Sequence, residues 1–108
     1  MNITVITQYA DNYKSIADIT VPVLKKYCDT HGYSLFENKI ELPYHYKKHW
    51  LIENLFMSGT DAVFYIDVDA MVTNHKIKIE SLLEEGKDFY ISKDINELNG
   101  GVFILKNT

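Results

Sequence analysis

The stretch AVFYIDVDAMV, residues 62–72, contains five apolar residues, then two carboxylates one residue apart, then apolar residues again. The apolar run at 62–66 predicts a buried β-strand. Removing an unpaired charge from water costs on the order of several kcal/mol per ion. Asp67 and Asp69, which follow this strand, are therefore expected to have a partner of opposite charge.

The composition is typical of a small globular domain. The chain has 108 residues, of which 46% are hydrophobic and 24% charged, and this suits a single domain over 1–108. A net charge of −4 argues against a nucleic-acid-binding surface, which is normally basic. The single cysteine excludes an internal disulfide. No apolar run approaches the ~20 residues of a membrane span, and residues 2–7 indicate a strand rather than a signal peptide, so a cytoplasmic location is expected.

Strand-like and helix-like segments alternate along the chain. A helix is expected to begin near Thr20, with Pro22 in its first turn, and to end at Gly32. Alternation of this kind predicts an α/β fold with a mainly parallel sheet that is covered on both faces, and the β-branched segment 3–7 is its expected central strand. The remaining predicted elements are strands at 33–36, 62–66, 89–92 and 102–105, helices at 47–57 and 79–85, and a loop at 8–14.

The two acids stand where α/β proteins bind ligands. In open α/β sheets this place lies outside the carboxyl ends of the strands. If the strand continues through Asp67 and Asp69, both side chains point to the same side. Two carboxylates there suit a hard cation, Mg²⁺ or Mn²⁺, whose other ligands are water and the phosphate oxygens of a substrate. The alternative is that Asp67 caps a turn and Asp69 is simply solvated.

Four segments, in this order along the chain, resemble GT-A-fold glycosyltransferases, and most closely the galactosyl- and mannosyltransferase group that uses nucleotide sugars. ITVITQY (3–9) resembles the first strand and the nucleotide-facing loop, and YCDTHGYSLF (27–36) resembles a helix end, turn and second strand. FYIDVDAMVTN (64–74) resembles the Asp-X-Asp segment, and LNGGVFILKNT (98–108) resembles the strand that enters beneath the donor sugar. The resemblance implies a Rossmann-like, three-layer α/β sandwich.

The same resemblance implies roles for individual residues. Asp69 matches the acid that ligates Mn²⁺ or Mg²⁺ on the donor diphosphate, and Asp67 matches the acid that contacts the ribose, or the metal through water. No catalytic base can be matched. The other donor-binding matches are Thr7, Gln8 and Tyr9 at the base and ribose, Lys48 toward the phosphates, Asp94 at sugar hydroxyls, and Asn99, Gly100 and Gly101 beside the donor sugar.

The expected function is therefore a metal-dependent glycosyltransferase that takes a nucleoside-diphosphate sugar and an unknown acceptor. Members of the group continue beyond the last matched segment with the acceptor site. We therefore expect this chain to represent the donor-binding half, as a fragment or as a minimal donor-binding protein. The apolar strand at 102–105 would then leave surface open, which predicts a possible homodimer.

Three alternatives remain open at this point. A non-catalytic module that binds a nucleotide sugar or a metal would share all the motifs above. A phosphotransferase of the haloacid-dehalogenase type would use Asp67 as nucleophile, but its pattern has Thr or Val where this chain has Met71. A phosphoacceptor receiver domain needs an acidic pair after its first strand, where this chain has Thr7, Gln8 and Tyr9.

Overall fold

The structure, a computed structural model, describes residues 1–39, 52–72, 74–93 and 98–107, and for residues 92, 93 and 98–101 it describes the backbone. Two short 3-10 helices, Asp11–Tyr13 and Ile79–Leu82, and a helical segment at 52–57 accompany the main elements. The main elements are β1 (Ile3–Tyr9), α1 (Lys14–His31), β2 (Ser34–Lys39), β3 (Ala62–Ile66), β4 (Phe89–Lys93) and β5 (Leu98–Lys106).

β1 lies inside a five-stranded sheet with the strand order β2-β1-β3-β5-β4. It pairs in parallel with β2 on one side and with β3 on the other, whereas β5 runs antiparallel to both β3 and β4. All seven residues of β1 are buried, as expected for a parallel strand that is covered on both faces. The prediction of an α/β fold with a mainly parallel sheet and a central first strand is confirmed.

Alternation along β1 and β3 supplies the two faces of the sheet with apolar side chains. Val5 and Ala62 point to the face covered by α1, where they join Leu24 and Cys28 in the larger core cluster. On the opposite face, the helical segment at 52–57 packs against the intervening residues of the same strands. This second cluster contains Ile6, Ile52, Val63 and Tyr65, with Leu55, Phe56, Phe103 and Leu105 packed against it.

The helix α1 begins at Lys14, so the prediction that it begins near Thr20 is wrong. Pro22 lies inside the helix and leaves the carbonyl of Asp18 without its usual N–H partner. Both residues are exposed, so water can satisfy that carbonyl. The apolar face extends upstream of the proline to Ala17, which is 2% exposed, so the packed face of the helix begins before Thr20. The predicted end is confirmed: Gly32 has φ +76°, and its N–H donates to the carbonyl of Cys28.

Other boundaries differ in smaller ways from the predictions. The helix expected at 79–85 is the short 3-10 helix Ile79–Leu82, and β2 and β5 are longer than predicted. The helix expected at 47–57 is helical at 52–57, and its first part lies outside the described residues. Among the helices that the structure describes, none is both long and apolar enough to cross a membrane.

A cluster of four aromatic rings packs residues 75–80, which follow β3, against the end of α1 and the residue before β2. Tyr27, His31, Tyr33 and His75 pack with ring centroids 4.9–5.8 Å apart. The hydroxyl of Tyr33 also donates a hydrogen bond to the Glu80 carboxylate. Three further hydrogen bonds join the same segments: Tyr27 Oη to Ile77 O (2.5 Å), His31 Nε2 to His75 O (2.6 Å) and Ile79 N to Tyr33 Oη (2.9 Å).

Replacing Tyr33 by phenylalanine tests this attachment. Tyr33→Phe keeps the ring but leaves the N–H of Ile79 without its acceptor and Glu80 without its donor. We expect the free energy of unfolding in urea to fall by about 1–3 kcal/mol, the usual cost of an unsatisfied buried group. Tyr13→Phe is the matched control, because Tyr13 is 37% exposed and should tolerate the change. Equal stability of the two variants would contradict the attachment.

The same contact should weaken in acid. Burial acts to raise the pKa of Glu80, but the hydrogen bond from Tyr33, its own backbone N–H and the positive charge of Lys78 outweigh burial and lower the pKa below its ordinary value of 4.5. A carboxyl whose pKa is lower in the folded state stabilises that state above the unfolded pKa and loses this effect as pH falls through the folded pKa. Wild-type protein should therefore lose stability below about pH 4.5 more steeply than Glu80→Gln, as measured by urea unfolding at each pH.

Candidate functional site

The order of the strands reverses at the carboxyl end of β1. The chain leaves β1 to form β2 on one side and later returns to form β3 on the other side. The segments that follow β1 and β3 therefore diverge, and this reversal of strand order is where open α/β sheets bind ligands. The strands end at Tyr9 and Ile66, so Asp67 and Asp69 follow directly at this place.

The two acids lie in a turn, not on the strand. β3 ends at Ile66, and the N–H of Ala70 donates to the carbonyl of Asp67 at 3.0 Å. The expectation that both acids continue the strand and share one side by strand alternation is therefore wrong. Aspartate favours turns because its short side chain can bond to nearby backbone. Asp67 is half-buried and Asp69 exposed, while Val68 between them is 6% exposed, so the turn directs Val68 into the protein.

This pair of carboxylates fits a divalent cation that takes one or two protein ligands. Mg²⁺ and Mn²⁺ prefer oxygen donors, and Mg²⁺ commonly keeps several waters and binds substrate phosphates. Within the part of the chain that the structure describes, no group of three or more His, Cys, Asp or Glu side chains is placed to hold a metal. Asp67 and Asp69 therefore suit an ion shared with a ligand better than a closed protein cage.

The end of β1 carries two buried polar side chains, which strand alternation places on opposite faces of the sheet. Thr7 and Gln8 are 1% and 5% exposed, and Gln8 belongs to the strand rather than to the loop predicted at 8–14. Within the described parts of the chain, Thr7 Oγ1 and Gln8 Nε2 have no hydrogen-bond partner. An unsatisfied buried group costs about 1–3 kcal/mol, so proteins rarely keep one without a reason. Their position at the switch point makes a bound ligand a natural partner.

Two side chains of β2 form hydrogen bonds with residues at the carboxyl end of β1. The hydroxyl of Tyr9 donates to Glu37 Oε2 at 2.9 Å, and Asn38 Nδ2 donates to Gln8 Oε1 at 3.4 Å. Burial, and then the hydrogen bond and charge of Glu37, raise the pKa of Tyr9, so its hydroxyl stays protonated. The sequence analysis missed Glu37 and Asn38 because the predicted strand stopped at 36. The rule that ligands bind at carboxyl ends would have found them with the strand extended to Lys39.

The backbone pairing of β5 places residues 99–101 close to the turn that carries Asp67 and Asp69. Val102 pairs with Ile66, so residues 99–101 lie just beyond the end of β3. On the other side, Ile91 pairs with Phe103 but Ser92 pairs with Asn99, which leaves three residues of β5 as a bulge. Bulges often occur next to active sites.

The candidate site thus brings most of the predicted residues together. Thr7, Gln8 and Tyr9 lie at the end of β1, the two acids follow β3, and the backbone of residues 99–101 adjoins them. Lys48 and Asp94 lie outside the described residues.

A solved structure has a similar fold. It is a glycosyltransferase involved in the glycosylation of the major capsid of PBCV-1, with a TM-score of 0.80 and 19% sequence identity. The chain shares the fold of a glycosyltransferase. The match covers 98% of this chain and 60% of the other, so this chain spans less than two thirds of that protein's length. No protein-family model and no curated protein sequence matches the chain.

A pair of threonines on β1 tests whether the buried hydroxyl at the site lacks a partner. Thr7→Val removes an unsatisfied group at almost constant shape, so we expect the free energy of unfolding to rise by about 1 kcal/mol. Thr4→Val on the same strand is the matched control, because Thr4 Oγ1 bonds to Thr60 Oγ1 at 3.0 Å. Its loss should lower stability by about 1 kcal/mol in the same urea titration. Destabilisation by Thr7→Val equal to that by Thr4→Val would show that Thr7 has a partner in the free protein.

Proposed function

We propose that this chain forms the donor-binding part of a metal-dependent glycosyltransferase that uses a nucleoside-diphosphate sugar. The observation that carries the proposal is the juxtaposition of the Asp67–Asp69 turn with two unpartnered polar atoms at the end of β1. The fold shared with the glycosyltransferase of PBCV-1 glycosylation supports it. The acceptor is not identified by any residue described here.

Each residue would act on a different part of the donor. Asp69, which is exposed, would hold the cation, and the half-buried Asp67 would reach the ribose or the cation through water. A divalent cation, when bound, supplies positive charge that offsets the charge on the leaving diphosphate. Thr7 Oγ1 and Gln8 Nε2 would bond to the nucleoside, and the backbone of residues 99–101 would adjoin the donor sugar, where glycines permit close approach. Lys48 and Asp94 remain proposals for the phosphates and the sugar hydroxyls.

The homodimer and the cytoplasmic location both stay predictions. β5 lies inside the sheet, and the edge strands of the described sheet are β2 and β4. A homodimer would therefore use one of these edges rather than the strand at 102–105. A cytoplasmic location is likewise an expectation from the sequence.

Replacing Asp69 by asparagine tests the proposal. The amide keeps the shape but removes one charge from the cation site. In Mn²⁺, we expect the affinity for a uridine or guanosine diphosphate sugar to fall about tenfold or more, which corresponds to at least ~1.4 kcal/mol. Without metal, wild type and Asp69→Asn should bind equally weakly in calorimetric titrations. Asp29→Asn, at the far end of α1, makes the same charge change away from the site and should bind like wild type.

Two results would count against the proposal. One is wild-type donor binding that is indifferent to Mn²⁺ and to a chelator. The other is an Asp69→Asn variant that binds the donor as tightly as wild type in Mn²⁺. An acyl-phosphate on Asp67 after incubation with acetyl phosphate, detected by mass spectrometry, would favour the phosphotransferase alternative instead.

A further inference from the structure

We propose that Glu37 is a positioning residue of this site, which acts through Tyr9 on the turn that carries Asp67 and Asp69. The inference rests on the proposed function, because it assigns to that site a residue on a third strand. Glu37 belongs to β2, on the far side of β1 from the acids. Its influence must therefore pass through a side chain of β1.

The first step is the hydrogen bond between β1 and β2. Tyr9 Oη donates to Glu37 Oε2 at 2.9 Å. The register pairs Thr7 with Glu37 and Tyr9 with Lys39, so the bond runs diagonally between the two strands on one face of the sheet. Tyr9 is 6% exposed, and a buried tyrosine hydroxyl needs a partner. Glu37 provides it from an exposed position at the carboxyl edge.

The second step is packing between the Tyr9 ring and the acidic turn. Tyr9, Ala17 and Val68 form one buried cluster, in which Ala17 and Val68 are 2% and 6% exposed. Val68 is the residue between Asp67 and Asp69, and the turn is closed by the Ala70 N–H to Asp67 O bond. A displacement of the ring would therefore displace the side chain that sets the position of both acids.

These two steps predict what happens when Glu37 is removed. Without it, the hydroxyl of Tyr9 would lose the acceptor of its part-buried hydrogen bond. Leaving such a group unsatisfied is costly, whereas removing both partners is nearly neutral. The ring would then turn its hydroxyl toward another acceptor or water and leave the cluster with Val68. If the Tyr9 hydroxyl is deleted as well, the ring no longer has a polar group that needs an acceptor, so it should stay in the cluster with Val68.

The test uses four variants and Mn²⁺-dependent binding of UDP and, separately, GDP. Glu37→Leu should weaken binding about fivefold or more, because the Tyr9 hydroxyl loses its acceptor. The double variant Glu37→Leu/Tyr9→Phe should bind more tightly than Glu37→Leu, because it removes both partners of the hydrogen bond. Glu37→Gln keeps an oxygen acceptor without the charge and should restore binding. Glu85→Leu removes an exposed carboxylate elsewhere and serves as the control.

The pattern of results separates this role from others. If Glu37→Gln binds as weakly as Glu37→Leu, the charge of Glu37 matters rather than its hydrogen bond, and the inference fails. It also fails if Glu37→Leu binds like wild type, or if the double variant is weaker than Glu37→Leu. A contribution to stability alone would lower the fraction of folded protein without changing the Kd of the fraction that remains folded.

A second measurement keeps the inference testable without a ligand. The methyl resonances of Val68 in ¹³C NMR spectra of the free protein report the environment of the turn. They should shift in Glu37→Leu, return toward wild type in the double variant, and stay unchanged in Glu85→Leu. If wild type binds neither nucleotide with Mn²⁺, the proposed function fails, and these methyl shifts still decide whether Glu37 positions the turn. Unmoved Val68 methyls in Glu37→Leu would overturn the inference.

Discussion

The site depends on parallel pairing on both sides of β1. Thr4 pairs with Ser34 of β2 and with Val63 of β3, so the same stretch of backbone is hydrogen-bonded in both directions. A strand that is bonded on both sides and buried on both faces has little freedom to move. Because the chain reaches the two neighbours in opposite directions, the segments beyond them separate only at the carboxyl edge. The position of the switch point therefore follows from connectivity, before any side chain is considered.

Polar side chains at the two ends of β1 differ in whether they have a hydrogen-bond partner. Thr4, near the amino end, bonds to Thr60, whereas Thr7 Oγ1 and Gln8 Nε2 near the carboxyl end have no partner among the described residues. The same strand thus carries a stabilising polar contact at one end and a cost at the other. A cost that is confined to the ligand-binding edge is physically reasonable, because a ligand with matching donors and acceptors would remove it on binding.

The sequence predicted the features that local chemistry controls. The β-branched segment 3–7, the glycine that ends α1 and the acids after β3 each follow from residue type and order. It failed where packing or pairing overrides residue type. The start of α1 was misplaced because the buried face of the helix extends upstream of its internal proline to Ala17. The end of β2 was not predicted because an edge strand with exposed polar residues resembles a loop in sequence. The contact between Glu37 and Tyr9 depends on the pairing of β2 with β1, which the sequence alone does not show.

A fold shared at 19% identity does not identify a ligand, because function resides in the site rather than in the fold. The negative charge of Asp67 and Asp69 limits which ligands could bind beside them. Two like charges 4 Å apart repel by about 4 kcal/mol at an effective dielectric constant near 20. A diphosphate would therefore be repelled from Asp67 and Asp69 unless a cation lay between them. A ligand without negative charge would meet no such repulsion. Dependence of binding on a divalent metal is therefore the result expected for a sugar diphosphate.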